Sequence, residues 1–193
     1  MAHHRYYNRM QKMKRRDLGF FVAGFVDGES SFSVSLKRVP SGRYAKGWYW
    51  ALDPVFQVYQ HEQHIDILNI LKDHVFMTGR IHRKTSPYSV FTYSVENQKT
   101  LLERIVPFFE RYELATKTDA FQKFKKVLQK MKEKEHLTKK GFLEILDIAF
   151  SMNAQGKQRK FKKEFVLETL AEQFASEESS ETTRRAPPRA EKI

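Results

Sequence analysis

The stretch Val22-Ala23-Gly24-Phe25-Val26-Asp27-Gly28-Glu29-Ser30 decides the fold, because an apolar segment with helical spacing ends in an acidic Asp-Gly-Glu sequence. Gly24 and Gly28 stand four residues apart, so both lie on one helix face, where a second backbone can approach closely. The pattern by itself is equally compatible with a core helix that ends at a glycine. It predicts a buried helix over residues 17–28 with a carboxylate at its tip.

The composition favours an extended anionic partner. The chain of 193 residues carries 35 Lys+Arg against 23 Asp+Glu, a formal net charge of +12. This charge is scattered over several segments and not gathered on one amphipathic helix, so nucleic acid is favoured over a membrane surface. The absence of cysteine excludes disulfides and Cys-based zinc sites. The apolar run 20–26 is too short to span a bilayer, and we expect a soluble, intracellular protein with no membrane partner.

Hydrophobic periodicity predicts an α+β domain with ragged ends. Residues 1–17 are basic and aromatic and are expected to form a flexible arm, while residues 176–193 have the composition of a disordered tail. Between them, residues 18–175 show the order helix, two strands, helix, two strands, helix, followed by three more helices. The strands are predicted at 31–37, 48–59 (with Pro54 as a local interruption), 79–85 and 88–95. The later helices are predicted at 61–76, 99–112, 116–134, 138–153 and 162–174.

The quoted stretch resembles the signature of the LAGLIDADG homing endonucleases, and the similarity runs from about residue 18 to residue 174. The resemblance implies an αββαββα core with a four-stranded antiparallel saddle sheet and, here, extra C-terminal helices. In that family two motif helices pack at a pseudo-two-fold axis. Because the motif occurs once in this chain, the resemblance implies a homodimer. The interface is then expected to include Gly24, Gly28, Ala23 and Asp27.

The same resemblance assigns the catalytic site. Glu29 and the carbonyl of Gly28 are the implied ligands of a divalent metal, Mg²⁺ with Mn²⁺ as a possible substitute, and no small-molecule cofactor is expected. Gln60 and Lys117 stand where relatives order the water around the cleaved phosphate. His64 stands where relatives tend to carry a basic residue in the same pocket, and a histidine there departs from that pattern.

The period-two alternation of the strands selects a polar face for DNA. On it we place Ser33, Ser35 and Lys37 from the first strand, Gln57 and Tyr59 from the second, and Arg80, His82 and Lys84 from the third. By resemblance, Gln57 contacts a base. Arg38 falls out of the alternation, so phosphate contact or solvation suits it better. A C-terminal loop with Lys157, Arg159 and Lys160 resembles a segment that grips the DNA backbone. The fourth strand is too apolar for its DNA-facing side to be assigned.

The resemblance implies a site-specific homing endonuclease that hydrolyses both strands of a long, pseudo-palindromic double-stranded target. Its setting is then a bacterial or archaeal cytoplasm or an organelle. A related protein that binds nucleic acid without cleavage, as an intron RNA maturase or a regulator, stays open as an alternative, as does a ribosome-associated basic protein. The sequence His61-Glu62-Gln63-His64 is one residue short of the HExxH zinc pattern, and no third ligand is evident.

Overall fold

Helices and strands follow one another in the order that the sequence predicts. This computed structural model describes residues 10, 12–44, 46–84, 89–152 and 160–184. In chain order the elements are α1 (Arg15–Glu29), β1 (Ser30–Pro40), β2 (Trp48–His61), α2 (Ile65–Ile70 with the π-helical turn Leu71–Val75), β3 (Arg80–Arg83), β4 (Val90–Val95), α3 (Gln98–Thr100, the π-helical turn Leu101–Ile105 and Val106–Arg111), α4 (Thr118–Lys132), α5 (Lys139–Ser151) and α6 (Lys163–Arg184). The α+β class and the αββαββα core with extra C-terminal helices are confirmed.

The strands form an antiparallel sheet in the order β1-β2-β4-β3. Along the β1–β2 ladder, Ser30 pairs with Val58 at one end and Pro40 with Trp48 at the other. β4 pairs with residues 56–61 of β2 on one side and with β3 on the other. Because β1 follows α1 without a break, the Ser30 end of the sheet lies at the tip of α1.

One face of the sheet is apolar and packs against the helices. Phe32 of β1, Phe56 of β2 and Tyr93 of β4 are each at most 1% exposed, and they share a core with Phe109 of α3 and Phe124 of α4. Full burial of an aromatic or aliphatic side chain contributes about 1.5–3 kcal/mol. A slip of one residue in register would expose this whole set, so the core fixes which face of each strand meets solvent.

The register also shows which side of β4 joins the polar face. Ser94 pairs with Gln57, and Thr92 pairs with Tyr59, so both polar side chains of β4 share the face of those β2 residues. Thr92 and Ser94 are almost fully buried beneath neighbouring side chains. β4 therefore contributes a polar but inaccessible strip to this face.

The N-terminal half of β2 has an edge that β4 leaves uncovered, since β4 pairs only with residues 56–61. At this edge the side-chain amide of Gln173 accepts a hydrogen bond from the Trp50 N–H at 2.8 Å and donates one to the Trp50 carbonyl at 3.1 Å. Alternate strand residues direct their N–H groups to the same edge, so Pro54, which lacks an N–H, breaks no ladder bond. The predicted interruption at Pro54 is wrong, because β2 runs through it with Val34 as its partner.

A smaller core attaches α6 to the β1–β2 hairpin. Trp50 lies at its centre, and its Nε1 donates to Thr169 Oγ1 at 3.0 Å. The other buried members come from α5 and α6, namely Phe142, Leu146, Val166, Leu170 and Phe174. The C-terminal helix is thus packed as part of the folded domain.

The ends of the described chain differ from the predicted bounds. α1 begins at Arg15, inside the segment expected to be a flexible arm, and α6 continues to Arg184, nine residues into the expected disordered tail. The first Pro after α6 starts is Pro187, so no breaker stops the helix earlier. Residues 1–9 and 185–193 lie outside the described residues. Among the described helices, none has the length and apolar character needed to cross a membrane.

Candidate active site and nucleic-acid interface

The tip of α1 presents oxygen atoms to solvent. Val22 and Val26 are fully buried and anchor the helix in the core, whereas Gly28 and Glu29 are exposed at its C-terminal end. The last carbonyls of a helix have no intrahelical donor and carry partial negative charge. The Gly28 carbonyl and the Glu29 carboxylate therefore form a small anionic patch where α1 passes into β1.

Asp27 fastens this helix tip to the start of α4. Its carboxylate accepts hydrogen bonds from the Thr116 N–H at 2.8 Å, the Thr116 hydroxyl at 2.9 Å and the Lys117 N–H at 2.9 Å. Partial burial raises the pKa of Asp27, but these donors together with the Lys117 charge outweigh it and lower the pKa below its ordinary value. Within the subunit the Asp27 carboxylate thus serves helix-start N–H groups that need an acceptor, and its predicted place at a dimer interface stays a prediction.

Lys117 lies against the C-terminal end of α1. Its Nζ donates to the Gly28 carbonyl at 3.2 Å and to the Val26 carbonyl at 3.3 Å. Burial lowers the pKa of the Lys117 ammonium, while the charges of Asp27 and Glu29 oppose that shift. A cation thus sits against the last carbonyls of α1, the position at which the helix dipole favours positive charge.

Gln60 and His64 lie beyond the Ser30 end of β1, where this strand begins. Gln60 follows Val58, the partner of Ser30, by two residues, so β2 carries it alongside the tip of α1. Its Oε1 accepts the N–H of His61 at 2.8 Å. His64 is exposed in the 3-10 turn Glu62–His64, and its role stays a prediction.

The donor set at the tip of α1 suits a hard cation. Gly28 and Glu29 offer a carbonyl and a carboxylate oxygen, the ligand types that Mg²⁺ prefers. Within the described parts of the chain, no three His, Cys, Asp or Glu side chains cluster tightly enough to enclose a metal. Alone, Gly28 and Glu29 could offer such a cation only part of a coordination shell, and water, phosphate oxygens or a second chain would have to complete it.

The outward face of α1 is open. A Cβ built at Gly24 or at Gly28 meets nothing within 4 Å, and Phe20 and Phe21 on the same side are 54% and 45% exposed. Small residues beside exposed aromatic rings make a surface suited to a second helix. Ala23, which we also expected on this face, is only 3% exposed and points into the subunit core.

The polar sheet face carries the β1 and β2 side chains that alternation selects. Gln57 lies opposite Ser31, and the Tyr59 hydroxyl donates to Gln57 Oε1 at 2.8 Å and lies 3.3 Å from Ser31 Oγ. This chain of hydrogen bonds holds the Gln57 amide in place. Ser33 and Ser35 continue the same side of β1.

The basic side chains on this face are held by neighbours. Lys37 Nζ lies 2.6 Å from Asp53 Oδ2, and Arg80 Nη2 lies 2.6 Å from Glu96 Oε1. Lys84 Nζ lies 5.4 Å from the Tyr59 ring centroid. His82 is exposed on β3. Sequence reasoning missed Asp53 and Glu96, although Asp53 falls in the alternation of β2 and Glu96 continues that of β4.

Arg38 lies on the other side of β1. Its guanidinium carbon is 4.8 Å from the Trp48 ring, 4.9 Å from Phe161 and 5.1 Å from Phe165. The alternation turns Arg38 towards aromatic residues, whose ring faces attract a cation, while the residue stays exposed. Its contact with phosphate or solvent stays a prediction. Lys160 lies beside this cluster, with Nζ 5.4 Å from the Phe161 ring. Lys157 and Arg159 lie outside the described residues.

Comparison with known proteins identifies the family. The sequence profile described as LAGLIDADG endonuclease matches residues 22–128, more than half of the chain. The match begins within α1 and ends within α4. This chain belongs to the LAGLIDADG endonuclease family.

Three relatives and neighbours illustrate the similarity. DNA endonuclease I-CeuI of Chlamydomonas moewusii is 33% identical over 95 residues, 49% of this chain and 41% of that protein. Probable intron-encoded endonuclease 2 of Neurospora crassa is 32% identical over 134 residues, 69% of this chain and 28% of that protein. The solved homing endonuclease I-TnaI is 31% identical, with a TM-score of 0.64, over 80% of this chain and 97% of its own.

The archaeal intron-encoded homing endonuclease I-Vdi141I, solved in complex with DNA, is 25% identical with a TM-score of 0.70 over 83% of this chain and 98% of its own. The chain spans less than two thirds of the length of the curated relatives that it matches.

Proposed function

We propose that this chain is one subunit of a homodimeric, site-specific homing endonuclease that hydrolyses both strands of a double-stranded DNA target. The observation that carries the proposal is the meeting of Glu29, the Gly28 carbonyl and Lys117 at the tip of α1, beside the start of the polar sheet face. Catalytic and recognition groups are then contiguous, as cleavage at a recognised site requires.

The proposed metal is Mg²⁺, with Mn²⁺ as a substitute, held by Glu29 and the Gly28 carbonyl. Such an ion supplies charge stabilisation to the phosphate and an activated water. A second copy of α1, packed on the Gly24 and Gly28 face, would bring a second Glu29 to the same place. One carboxylate for each DNA strand follows from that two-fold arrangement.

The residues of this chain have distinct roles in the proposal. Lys117 orients water and offsets negative charge at the cleaved phosphate, and Gln60 orders water beside the tip of α1. The polar sheet face reads the major groove, where Gln suits adenine and Arg or Lys suits guanine. The net charge of +12 supplies affinity for the DNA backbone that does not depend on sequence.

Glu29→Gln tests the proposal, because it removes a charge with little change of shape. If the reading frame interrupts a known gene within an intron, the joined exon sequences give the DNA to use. The wild type should cut both strands of that DNA with Mg²⁺, and Glu29→Gln should bind it at least as tightly without cutting. Glu103→Gln, an exposed carboxylate on α3, is the matched control and should cut normally.

Two results would contradict this function. Loss of both folding and binding in Glu29→Gln would make Glu29 a structural residue. Tight binding by the wild type without cleavage in Mg²⁺ or Mn²⁺ would favour a nucleic-acid-binding protein, such as an RNA maturase or a regulator.

A further inference from the structure

Two carboxylates lie on the polar sheet face, where DNA phosphates would repel them. Asp53 of β2 pairs with Ser35 across the β1–β2 ladder and shares the side of Gln57 and Tyr59. Glu96 follows β4 two residues after Ser94, so the alternation puts it on the same side. Acidic residues on a surface that binds nucleic acid weaken the attraction and need a separate reason.

A contribution to the stability of the fold explains these two carboxylates poorly. The Lys37–Asp53 and Arg80–Glu96 pairs are each 2.6 Å long. The cations are 56% and 67% exposed and the carboxylates 20% and 33%, so both pairs reach solvent. Exposed ion pairs contribute only about 0–1 kcal/mol. Both pairs join strands that are already held by main-chain hydrogen bonds and a buried core.

Each pair presents an acceptor beside a donor. In the major groove, cytosine offers its N4 amino group as a donor and guanine offers O6 and N7 as acceptors. Cytosine N4 and guanine O6 are hydrogen-bonded to each other and so lie about 2.9 Å apart, close to the 2.6 Å between the charged atoms of each pair. An A·T pair also offers a donor beside an acceptor, but the thymine methyl group next to O4 crowds a charged side chain.

We propose that Lys37–Asp53 and Arg80–Glu96 are preformed readers of G·C base pairs, the carboxylate accepting from cytosine and the cation donating to guanine. The proposal rests on the proposed function, since it requires this face to lie in the major groove. It makes Asp53 and Glu96 specificity-determining residues.

The strand geometry predicts where Lys37–Asp53 reads. Asp53 lies four residues from Gln57, on the side away from the tip of α1. At about 3.4 Å per residue, this spacing is roughly 14 Å, or about four base-pair steps of 3.4 Å along DNA. The base pair read by Lys37–Asp53 is therefore about four positions farther from the cut than the one read by Gln57.

The test is a binding selection from a randomised double-stranded DNA library without divalent metal, so that no cleavage is needed. The wild type is compared with the control Asp73→Asn and with five variants of the polar face, Lys37→Met, Asp53→Asn, Arg80→Ala, Glu96→Gln and Gln57→Ala. That control neutralises an exposed aspartate which also pairs with a lysine, Lys72, but on α2.

Lys37→Met and Asp53→Asn should each reduce the preference for G·C roughly tenfold at one and the same base pair. That base pair should lie about four positions from the one altered by Gln57→Ala. Glu96→Gln and Arg80→Ala should likewise alter one shared base pair. Asp53→Asn should bind random DNA no more weakly than the wild type, and Asp73→Asn should select the wild-type sequence.

The proposal is overturned if Asp53→Asn selects the wild-type sequence, if Lys37→Met and Asp53→Asn alter different base pairs, or if the shared position prefers A·T in the wild type. A wild type that enriches no sequence would contradict the proposed function itself. The two failures are therefore distinguishable.

Discussion

The ammonium Nζ of Lys117 lies 3.2 Å from the carbonyl oxygen of Gly28, although 89 residues separate them in the chain. This carbonyl is one of the two oxygens proposed to hold a metal. A divalent cation and the Lys117 ammonium would therefore compete for the same atom. The balance between them is open to experiment.

Lys117→Met removes the competing charge and the group proposed to order water. We expect the maximal cleavage rate to fall roughly 100-fold, while half-maximal activity is reached at a lower Mg²⁺ concentration. Cleavage of a cognate site over a Mg²⁺ titration measures both quantities. Lys123→Met, which breaks an i,i+4 pair with Asp119 on α4, is the control and should change neither. An unchanged maximal rate in Lys117→Met would remove Lys117 from the site.

Asp27→Ala should destabilise the fold and slow cleavage. The substitution leaves the N–H groups of Thr116 and Lys117 without their acceptor, so the free energy of unfolding should fall by about 1–2 kcal/mol. Urea denaturation measures this loss. Asp17→Ala, in the first turn of α1, is the matched control. If Asp27→Ala keeps wild-type stability and rate, Asp27 does not position Lys117.

Gly24→Leu should abolish the dimer without harming the subunit. Nothing lies within 4 Å of a Cβ at Gly24, so the new side chain fits the isolated chain and clashes only with a partner helix. Analytical ultracentrifugation should show monomers, and the thermal melting curve should keep its shape. Gly19→Ala is the opposite case, since a Cβ there would lie 2.2 Å from Tyr112 Cζ. A wild type that cuts as a monomer would contradict the dimer.

Gln57→Ala and Lys160→Ala should affect DNA binding in different ways, the first its sequence preference and the second its overall affinity. Loss of a base-reading amide should relax choice at one base pair, at a cost of roughly 1–3 kcal/mol. Loss of a phosphate-contacting lysine should weaken binding to all sequences alike and reduce the slope of log affinity against log salt by about 1. Titrations of a site panel at several salt concentrations separate the two effects. Identical behaviour of both variants would refute the assigned faces.

Glu144→Gln gives a pH test of stability. The hydrogen bond and charge of Lys130 hold the pKa of Glu144 below its ordinary value of 4.5. Its contribution is therefore present above pH 4.5 and is lost as the pH falls through the lowered pKa. The wild type should melt at a higher temperature than Glu144→Gln near pH 7, and the difference should vanish in acid. A difference that persists in acid would assign the effect to packing.

Local sequence was a good guide to the strands, because the period-two alternation directly encodes which side chains meet the core. It was a poor guide to contacts between distant segments. The contact of Asp27 with Thr116 could not be predicted, because 89 residues separate the two in the sequence. The alternation correctly excluded Arg38 from the polar face. It could not show the rings beside the guanidinium, because Phe161 and Phe165 come from a much later part of the chain.

The hydrogen bonds between the Gln173 amide and the Trp50 backbone also affect how the protein resists aggregation at high concentration. An uncovered strand edge with free N–H and C=O groups is a template for pairing with another molecule, the first step of aggregation. Gln173 satisfies both groups of Trp50, and Pro54 offers no N–H farther along the same edge. A chain that ended before α6 would expose the N–H and C=O groups of this strand edge to other molecules. By covering them, α6 should reduce aggregation as well as complete the folded domain.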